Sequence, residues 1–382
     1  MTVADFLRQL EDKNTLSSIM NNPAAQFQIY NKQYWGHTIF PTRNVPENKV
    51  KEARIKWRGI VATDSTRFSP VTLRDAARVG SAEFDLGEKD AGAQLFGADL
   101  EAVRRSLAGG NLSGSPDASS LLTRFAIIHA LQPLVEKEEK EILELMTDGK
   151  IYRRGDNAYA QDVQQPNPLG HRITVEDPLS TPDVDPLAPV LHMLDMMASK
   201  GLPVRQIKTS RRLVAMLIKH PIVRRTVGGS NTVSSTDGTF TLTNESHAVT
   251  LAAVNAYLEA NGYAPNLIST YDEVYETLSG PKRFLRENAM VFVSTDAISE
   301  DTIRLVRGQS PVILETSVGY YAIGVGENQS APGRVIITDS FDRDRNARIE
   351  VKSWETSGPI NTQPEGLACL TWSLKKDAPA KG

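Results

Sequence analysis

The stretch that decides the fold is residues 117–149, DASSLLTRFAIIHALQPLVEKEEKEILELMTDG. Asp117 is a candidate N-cap, and Gly149 stands where a helix commonly ends in a left-handed residue. The pattern therefore predicts one long helix over 117–148, about 45 Å in length at 1.5 Å per residue. Its apolar residues recur at helical spacing: Leu121, Phe125, Ile128, Leu131, Val135, Ile142 and Leu145.

Two features of this helix carry further expectations. Pro133 lies inside it and predicts a kink, because proline lacks the N–H of the helical ladder and its ring clashes with the preceding turn. Residues 136–144 are almost all Glu and Lys, and this composition predicts a largely solvated C-terminal half.

Residues 1–48 look like an arm that needs a surface to lie on, either its own or that of a neighbouring molecule. The segment Phe40-Pro-Thr-Arg-Asn-Val-Pro46 has two prolines within six residues, which favours extended backbone. The aromatic residues that require this surface are Phe27, Tyr30, Tyr34, Trp35 and Phe40.

Residues 49–62 alternate with period two and predict a half-buried strand with a cationic outer face. Ala53, Ile55 and Trp57 share one face, while Arg54, Lys56 and Arg58 share the other. The charge then turns acidic from residue 83 to 101, beginning with Glu83, Asp85 and Glu88. The segment is either a hairpin of two solvated strands or a projecting loop whose charges match those of another copy. The Gly/Ser/Pro-rich stretch 107–116 ends it.

After the long helix the pattern indicates a mixed α/β block and then mainly strands. Asp185 would cap a helix that ends at Gly201, a strand covers 204–208, and helices follow over 210–218 and 246–260. Residues 228–243 read as a long Gly/Ser/Thr-rich loop. The predicted strands are 289–294, a hairpin of 312–325 with 333–339, and then 348–354 and 366–373.

Composition and motifs exclude several classes of protein. With 382 residues and a net charge of −3, the chain is not a basic protein that coats nucleic acid through bulk charge. Its apolar runs are too short to span a bilayer. The single cysteine, Cys369, is expected to be a small buried hydrophobe.

No catalytic or cofactor motif is found. The sequence has no phosphate-binding loop and no serine elbow, and its six histidines are scattered. The segment starting at Asp342 resembles a calcium loop but has Ala347 and Ser353 where Gly and Glu are needed. We therefore expect no enzyme activity, no cofactor and no metal site. The basic stretch 205–225 is open to two interpretations, phosphate contact or a solvated helix face with subunit contacts.

The order of these elements resembles the major capsid proteins of tailed bacteriophages, whose Hong Kong 97-type fold is shared with encapsulin shells and the herpesvirus shell floor. The residues that carry the resemblance are Phe40–Pro46, LPVRQIKTSRRLVAMLIKHP at 202–221 and LRENAMVFVSTD at 285–296. The lambda-like E-type group is the nearest. The resemblance implies an α+β capsid fold in four parts: an N-terminal arm (1–48), an extended loop (49–110), a peripheral domain (111–184 and 336–382) with the spine helix 117–148, and an axial α/β domain (185–335).

The resemblance also implies a function. The chain would assemble as hexamers and pentamers into an icosahedral head shell around a phage genome, in the host cytoplasm. Scaffolding, portal and decoration proteins would be partners, and packaged DNA a weak, non-specific one. Since the sequence starts directly with the arm, the scaffold is expected to be a separate protein or already removed. The alternatives are an encapsulin-like cage and a nucleic-acid-binding protein that uses 205–225.

Two groups of site residues follow from the resemblance. The contacts between subunits are assigned to Trp35, Phe40, Arg54, Lys56, Trp57, Arg58, Glu83, Asp85 and Glu88. The residues expected to face DNA are Arg205, Lys208, Arg211 and Arg212. Deleting 1–48 is expected to leave soluble subunits that do not form closed shells.

Overall fold

A computed structural model describes the fold over part of the chain. The described residues are 32, 34–57, 77–96, 127–152, 163–165, 168–176, 179, 181–228, 232–236, 239–243, 249–277, 279–294, 318–326, 331–341 and 348–373. Among them, no helix is both long and apolar enough to cross a lipid bilayer.

The N-terminal half contains two helices and seven strands in the described ranges. They are α1 (Trp35–Ile39), β1 (Thr42–Asn44), β2 (Lys49–Trp57), β3 (Ala77–Asp85), β4 (Gly87–Phe96), α2 (Gln132–Asp148), β5 (Lys150–Ile151), β6 (Val163–Gln164) and β7 (Arg172–Val175). A π-helical turn, Ile127–Leu131, leads directly into α2.

The C-terminal half alternates between helices and strands before it becomes mainly β. Its helices are α3 (Ala188–Ser199), α4 (Arg211–Lys219), α5 (Pro221–Gly228) and α6 (Leu251–Ala260). Its strands are β8 (Gln206–Thr209), β9 (Thr232–Thr236), β10 (Thr239–Thr243), β11 (Ile268–Thr270), β12 (Val274–Tyr275), β13 (Lys282–Arg283), β14 (Ala289–Val293), β15 (Gly319–Ile323), β16 (Val335–Phe341), β17 (Arg348–Asn361) and β18 (Leu367–Trp372).

Two five-stranded sheets organise these elements. In the first, β17 is the long central strand: β15 pairs with its C-terminal part, and β4 and β16 flank its N-terminal part. Strand β1 adds to β15 in parallel. The second sheet has the order β11-β8-β14-β18-β7. The hairpin β2–β3 forms a separate two-stranded sheet.

The long helix ends as the sequence predicts. Gly149 has φ +62°, and its N–H donates to the Leu145 carbonyl at 2.8 Å. The guanidinium of Arg172, on β7, donates to the last carbonyls of α2, those of Leu145 and Asp148. The last carbonyls of a helix lack the next turn of N–H donors, so these bonds from Arg172 join the end of α2 to the second sheet.

Pro133 lies in the first turn of α2, directly after the π-helical turn, and the kink that we expect there stays a prediction. The turn before it is π-helical, a form that accommodates the missing N–H and the steric clash of proline. The Ser353 hydroxyl of β17 donates to the Ala130 carbonyl of this turn at 2.7 Å, so a neighbouring strand satisfies one of its acceptors. Residues 117–126 of the predicted helix lie outside the described residues.

Two predictions about the C-terminal half are wrong. The stretch 228–243 is not one loop, because β9 and β10 pair within it from Thr236–Thr239 to Thr232–Thr243. The segments TVSST and TFTLT alternate and are separated in sequence by Asp-Gly, which is a hairpin signal. The prediction of a loop relied on the Gly/Ser/Thr content and missed this signal. The second error is the hairpin of 312–325 with 333–339. Strands β15 and β16 instead pair with different parts of β17, because β17 is long enough to serve both.

The C-terminal part of the predicted arm belongs to the core of the chain. Trp35 is 6% exposed and Phe40 is fully buried, in one apolar cluster with residues of α2, β14, β15 and β18. Strand β1 follows them and hydrogen-bonds β15. The expectation that Trp35 and Phe40 are buried against a neighbouring molecule is therefore wrong. Residues 1–31 lie outside the described residues.

We expect Phe40→Ala to lower the free energy of unfolding of the isolated chain by about 3–5 kcal/mol, as large-to-small changes at fully buried aromatics do. Leu169→Ala is the matched control, because Leu169 is 99% exposed and its loss should change stability by less than about 0.5 kcal/mol. Denaturant unfolding followed by circular dichroism measures both. Equal stability of the two variants would contradict the placement of Phe40 in the core.

Candidate functional site

A cluster of buried charged groups lies where α2 crosses the first sheet. Glu138 and Glu141 come from α2, Lys89 from β4, Glu355 from β17 and Arg334 from the residue before β16. The exposed fraction of each of these five residues is small, and Glu138, Glu141 and Glu355 are at most 1% exposed. Charges this deeply buried are tolerated only when they are paired and hydrogen-bonded.

Lys89 has a complete set of acceptors. Its ammonium lies 2.9 Å from Glu141 Oε2 and 3.9 Å from Glu355 Oε1, and it donates to the Ser357 hydroxyl at 2.5 Å and the Ser357 carbonyl at 3.1 Å. It also donates to the Tyr321 hydroxyl, which in turn donates to Glu141 Oε2 at 3.2 Å. The base of the hairpin is thereby tied to the long helix through strand β4.

Arg334 bridges the other two carboxylates. Its Nε donates to Glu355 Oε2 at 2.7 Å, and its Nη2 donates to Glu138 Oε1. Burial alone raises the pKa of Glu355, but Arg334 and Lys89 outweigh burial and hold that pKa below its usual value. For Glu138, burial wins over the attraction of Arg334 and raises the pKa to about 8.

The expectation that residues 136–144 are largely solvated is wrong for three of the glutamates, because Glu138, Glu139 and Glu141 are buried. Only the lysines and the remaining glutamates of the segment stay partly exposed, at Lys137 and Lys140 for example. A Glu/Lys-rich sequence is ordinarily a solvated helix face. Here its buried acids are matched by Lys89 and Arg334, which are distant in sequence and so invisible to a local pattern.

Glu139 holds α1 against the long helix. Its carboxylate accepts the backbone N–H of Gly36 at 2.8 Å, the N–H of His37 at 3.2 Å and the Tyr271 hydroxyl at 2.7 Å. A side chain at Gly36 would not fit, because a Cβ there would lie 2.7 Å from Glu139 Oε2. Burial, opposed by the hydrogen bond from Gly36, raises the pKa of Glu139 to about 7.

The hairpin β2–β3 has paired charges at its base and like charges further out. Lys49 pairs in register with Asp85, and its ammonium lies 3.3 Å from Asp85 Oδ1 and 4.0 Å from Glu83 Oε1. Towards the other end, Lys56 stands opposite Arg78 and Arg54 opposite Gly80. Like charges placed directly across a strand pair are destabilising.

The predicted contact residues therefore divide into three groups. Trp35 and Phe40 are core residues, as described above. Glu83, Asp85 and Glu88 are exposed, at the base of the hairpin and the start of β4. Arg54, Lys56 and Trp57 lie on β2, where only the backbone register is described, and Arg58 lies outside the described residues. Contact of these hairpin residues with another copy stays a prediction.

The residues predicted to face DNA lie around β8 and the start of α4. Arg205, Arg211 and Arg212 are exposed, and the Lys208 ammonium lies 6.0 Å from the ring centroid of Trp35. Two of the arginines share the surface with acids of the same chain: Arg212 Nη1 is 2.7 Å from Glu287 Oε2, and Arg211 Nε is 3.9 Å from Asp272 Oδ2. These acids offset part of the positive charge, and the DNA contact stays a prediction.

In the part of the chain that the structure describes, no cluster of three or more His, Cys, Asp or Glu side chains could hold a metal ion. Cys369 is buried in β18, as predicted from its apolar neighbours, and burial raises the pKa of its thiol to about 11. A thiol that is both inaccessible and protonated is a packing group rather than a nucleophile.

The sequence matches no protein-family model and no curated protein. The fold does match solved structures. A phage-related protein from Bordetella bronchiseptica aligns with a TM-score of 0.50 and 12% identity over 92% of this chain and 96% of that one. The putative capsid protein of a prophage of E. coli CFT073 aligns with a TM-score of 0.49 and 12% identity, over 94% of this chain and 99% of that one. The SrpI encapsulin of Synechococcus elongatus aligns with a TM-score of 0.41 and 11% identity, over 93% of this chain and 99% of that one.

The described residues form the α+β fold that the sequence predicts, and the Bordetella bronchiseptica protein shares that fold. At this level of identity the likeness concerns the fold alone. The assignment to the lambda-like E-type group stays a prediction.

We expect Lys89→Met to lower the free energy of unfolding by about 3–5 kcal/mol, because it leaves Glu141 and Glu355 buried without their ammonium partner. The control is Lys49→Met, which removes a lysine whose side chain is 67% exposed and should cost no more than about 1 kcal/mol. Urea unfolding of both variants measures the difference. A Lys89→Met variant as stable as the control would show that the cluster does not need its lysine.

Proposed function

We propose that this chain is the major capsid protein of a tailed bacteriophage, which self-assembles as hexamers and pentamers into the icosahedral head shell around the genome. Its role is structural rather than enzymatic. The fold of the described residues supports the proposal, and the hairpin β2–β3 is the observation on which it rests.

The stability and the charges of the hairpin β2–β3 favour its contact with another subunit. A two-stranded sheet is marginally stable alone in water. Among the described residues, β2 and β3 pair with each other and with no further strand, and their base packs against the body of the subunit. There Val50 and Phe84 are buried in a small apolar cluster with residues of β15 and β17. Further out, Lys56 and Arg78 are partners in the backbone register of the two strands. A neighbouring subunit that presents carboxylates would relieve this repulsion.

The exposed acids at the base of the hairpin and the start of β4 provide such carboxylates. Glu83, Asp85 and Glu88 are all exposed on this chain, and a second copy presents the same three. Opposite charges on two parts of one surface make a head-to-tail contact between identical subunits, which generates closed rings when the rotation between them closes. Each such contact is weak and screened by salt, so that errors in assembly can be corrected.

The four-part division follows as part of the proposal. Residues 1–48 would be the arm, 49–110 the extended loop, 111–184 with 336–382 the peripheral domain and 185–335 the axial domain. Because Tyr34, Trp35 and Phe40 are core residues, deletion of 1–48 would unfold the subunit rather than only prevent shell closure. The arm that extends to neighbours would be the part before them.

The proposed partners are further copies of the chain, scaffolding, portal and decoration proteins, and packaged DNA through weak contacts at Arg205, Lys208, Arg211 and Arg212. The proposed location is the virion, after assembly in the host cytoplasm. An encapsulin-like cage is the second candidate, favoured by the same fold. The content of purified particles separates the two, because a cage would enclose a cargo protein and a head would enclose DNA.

A nucleic-acid-binding protein that uses 205–225 is a weaker alternative, because Asp272 and Glu287 lie among its arginines. Binding of DNA by the isolated subunit, measured as a function of salt, tests it. Tight and strongly salt-dependent binding would favour this alternative over a shell protein.

We expect the double variant Arg54→Glu, Lys56→Glu to fold normally but to form no closed shells, because it turns the attraction towards the acids of a neighbour into repulsion. Electron microscopy at assembly concentration measures shell formation, and circular dichroism measures folding. The control is Lys282→Glu, a charge reversal at an exposed residue away from the hairpin. Normal shells from the double variant would contradict the proposed contact, whereas wild-type protein that stays monomeric at every concentration would contradict the proposed function.

A further inference from the structure

The contact between α1 and the long helix contains two buried acceptor atoms that face each other. His37 Nε2 lies 3.4 Å from Glu138 Oε2. Both atoms are buried, and among the described residues neither has a hydrogen-bond partner. His37 is 11% exposed and Glu138 is fully buried, so water does not readily replace the missing partner.

The other atoms of the two side chains are already engaged. The ring of His37 hydrogen-bonds the Val135 carbonyl, and since Nε2 has no partner, this bond comes from Nδ1. A carbonyl only accepts, so Nδ1 carries a proton. Glu138 Oε1 accepts from Arg334. If His37 is neutral and Glu138 ionised, Nε2 and Oε2 therefore present lone pairs to each other.

The charged groups around His37 and Glu138 carry a net negative charge. The cations that face the pair are Lys89 of β4 and Arg334 before β16; the carboxylates are Glu138 and Glu141 of α2 and Glu355 of β17. Tyr321 of β15 contributes a neutral hydroxyl, and Glu139 contacts the backbone of His37. Lys137 of α2, which is partly exposed, adds a third cation 3.8 Å from Glu141, and Glu139 is a fourth buried carboxylate. Three cations against four carboxylates leave one negative charge in excess, which one added proton cancels.

We propose that His37 and Glu138 share one bound proton, carried on Glu138 Oε2 and donated to His37 Nε2, and that this proton holds the segment Tyr34–Phe40 against the long helix. Its release to solvent leaves two facing lone pairs and a net buried negative charge, so the segment loosens as the pH rises. The mechanism lies within a single subunit. Only its consequence for a shell, a pH-dependent attachment of the N-terminal segment, rests on the proposed function.

The direction of the pKa values agrees with this geometry. Burial, opposed by Arg334, raises the pKa of Glu138 to about 8, and burial together with Arg334 lowers the pKa of His37 to about 4. A carboxyl whose pKa is higher in the folded chain contributes stability that is lost as the pH rises through that value. His37, whose pKa is lower in the folded chain, contributes stability that is lost in the opposite direction, as the pH falls towards a value of about 4. The contact is therefore expected to weaken as the pH rises towards 8 and to change no further above it.

Hydrogen exchange of the full chain from pH 7 to pH 9.5, corrected for intrinsic rates, measures the contact. For the wild type we expect the protection of residues 34–40 to fall by about ten-fold between pH 7 and pH 8 and to level off above pH 8, because opening releases one proton only below the pKa of Glu138 in the folded chain, while residues 289–293 stay protected. Glu138→Gln should keep its protection at pH 9.5, because the amide is neutral at every pH and can donate to Nε2. Glu259→Gln, at an exposed glutamate of α6, is the matched control and should behave as the wild type.

Two results would overturn the proposal. One is wild-type protection that does not change between pH 7 and 9.5. The other is a loss of protection that persists in Glu138→Gln but disappears in Glu139→Gln, because that would assign the proton to the neighbouring acid.

A second measurement uses only the wild type and serves if the variants fail to fold. Nitrogen NMR of the His37 ring at pH 7 should show a neutral ring protonated on Nδ1 with a hydrogen bond to Nε2. An imidazolium, or a ring protonated on Nε2, would overturn the proposal. Shell formation is measured separately by electron microscopy. If shells form but the protection of residues 34–40 does not change with pH, only the shared proton is contradicted. If the protection changes with pH but no shells form, only the proposed function is contradicted.

Discussion

The described body of this protein depends on five charged side chains that have been removed from water together. Lys89, Glu138, Glu141, Arg334 and Glu355 come from four separate regions of the sequence and meet under the long helix. Removing Lys89 or Arg334 leaves buried carboxylates with less compensation, which is far more costly than losing an exposed ion pair. Such a cluster adds little net stability, but it admits few alternative arrangements of β4, β17 and α2. It thereby determines how the base of the hairpin is oriented on the subunit.

The same region connects the parts of the chain that a shell would use. Lys89 lies on β4, directly after the hairpin, and Glu139 holds the N-terminal segment through the backbone of Gly36 and His37. The base of the hairpin and the segment Tyr34–Phe40 are therefore both attached to the long helix.

The local patterns predicted some elements well and others badly, and the difference has a physical cause. Gly149 ends the long helix, because helix ends depend on neighbours in sequence. Asp185 accepts the N–H of Leu187 just before α3, although the N-cap of that helix is Leu187 and not the predicted Asp185. Strand pairing does not depend on neighbours in sequence: β15 and β16 were expected to pair with each other, yet both pair with β17. We expected Trp35 and Phe40 to be buried against a neighbouring molecule. In the structure they are covered by residues of β14, β15 and β18, which are distant in sequence.

From the sequence alone came the α+β class, the end of the long helix, the alternation of β2 and the family resemblance, since each depends on residue type and spacing along the chain. Only the tertiary structure decided which charges are buried. Glu138, Glu139 and Glu141 look like solvated residues in a Glu/Lys run, and no local pattern reveals that Arg334 and Lys89 lie against the same helix face. The protonation of a carboxyl depends on its distance from other charges and from water, and folding alone sets those distances.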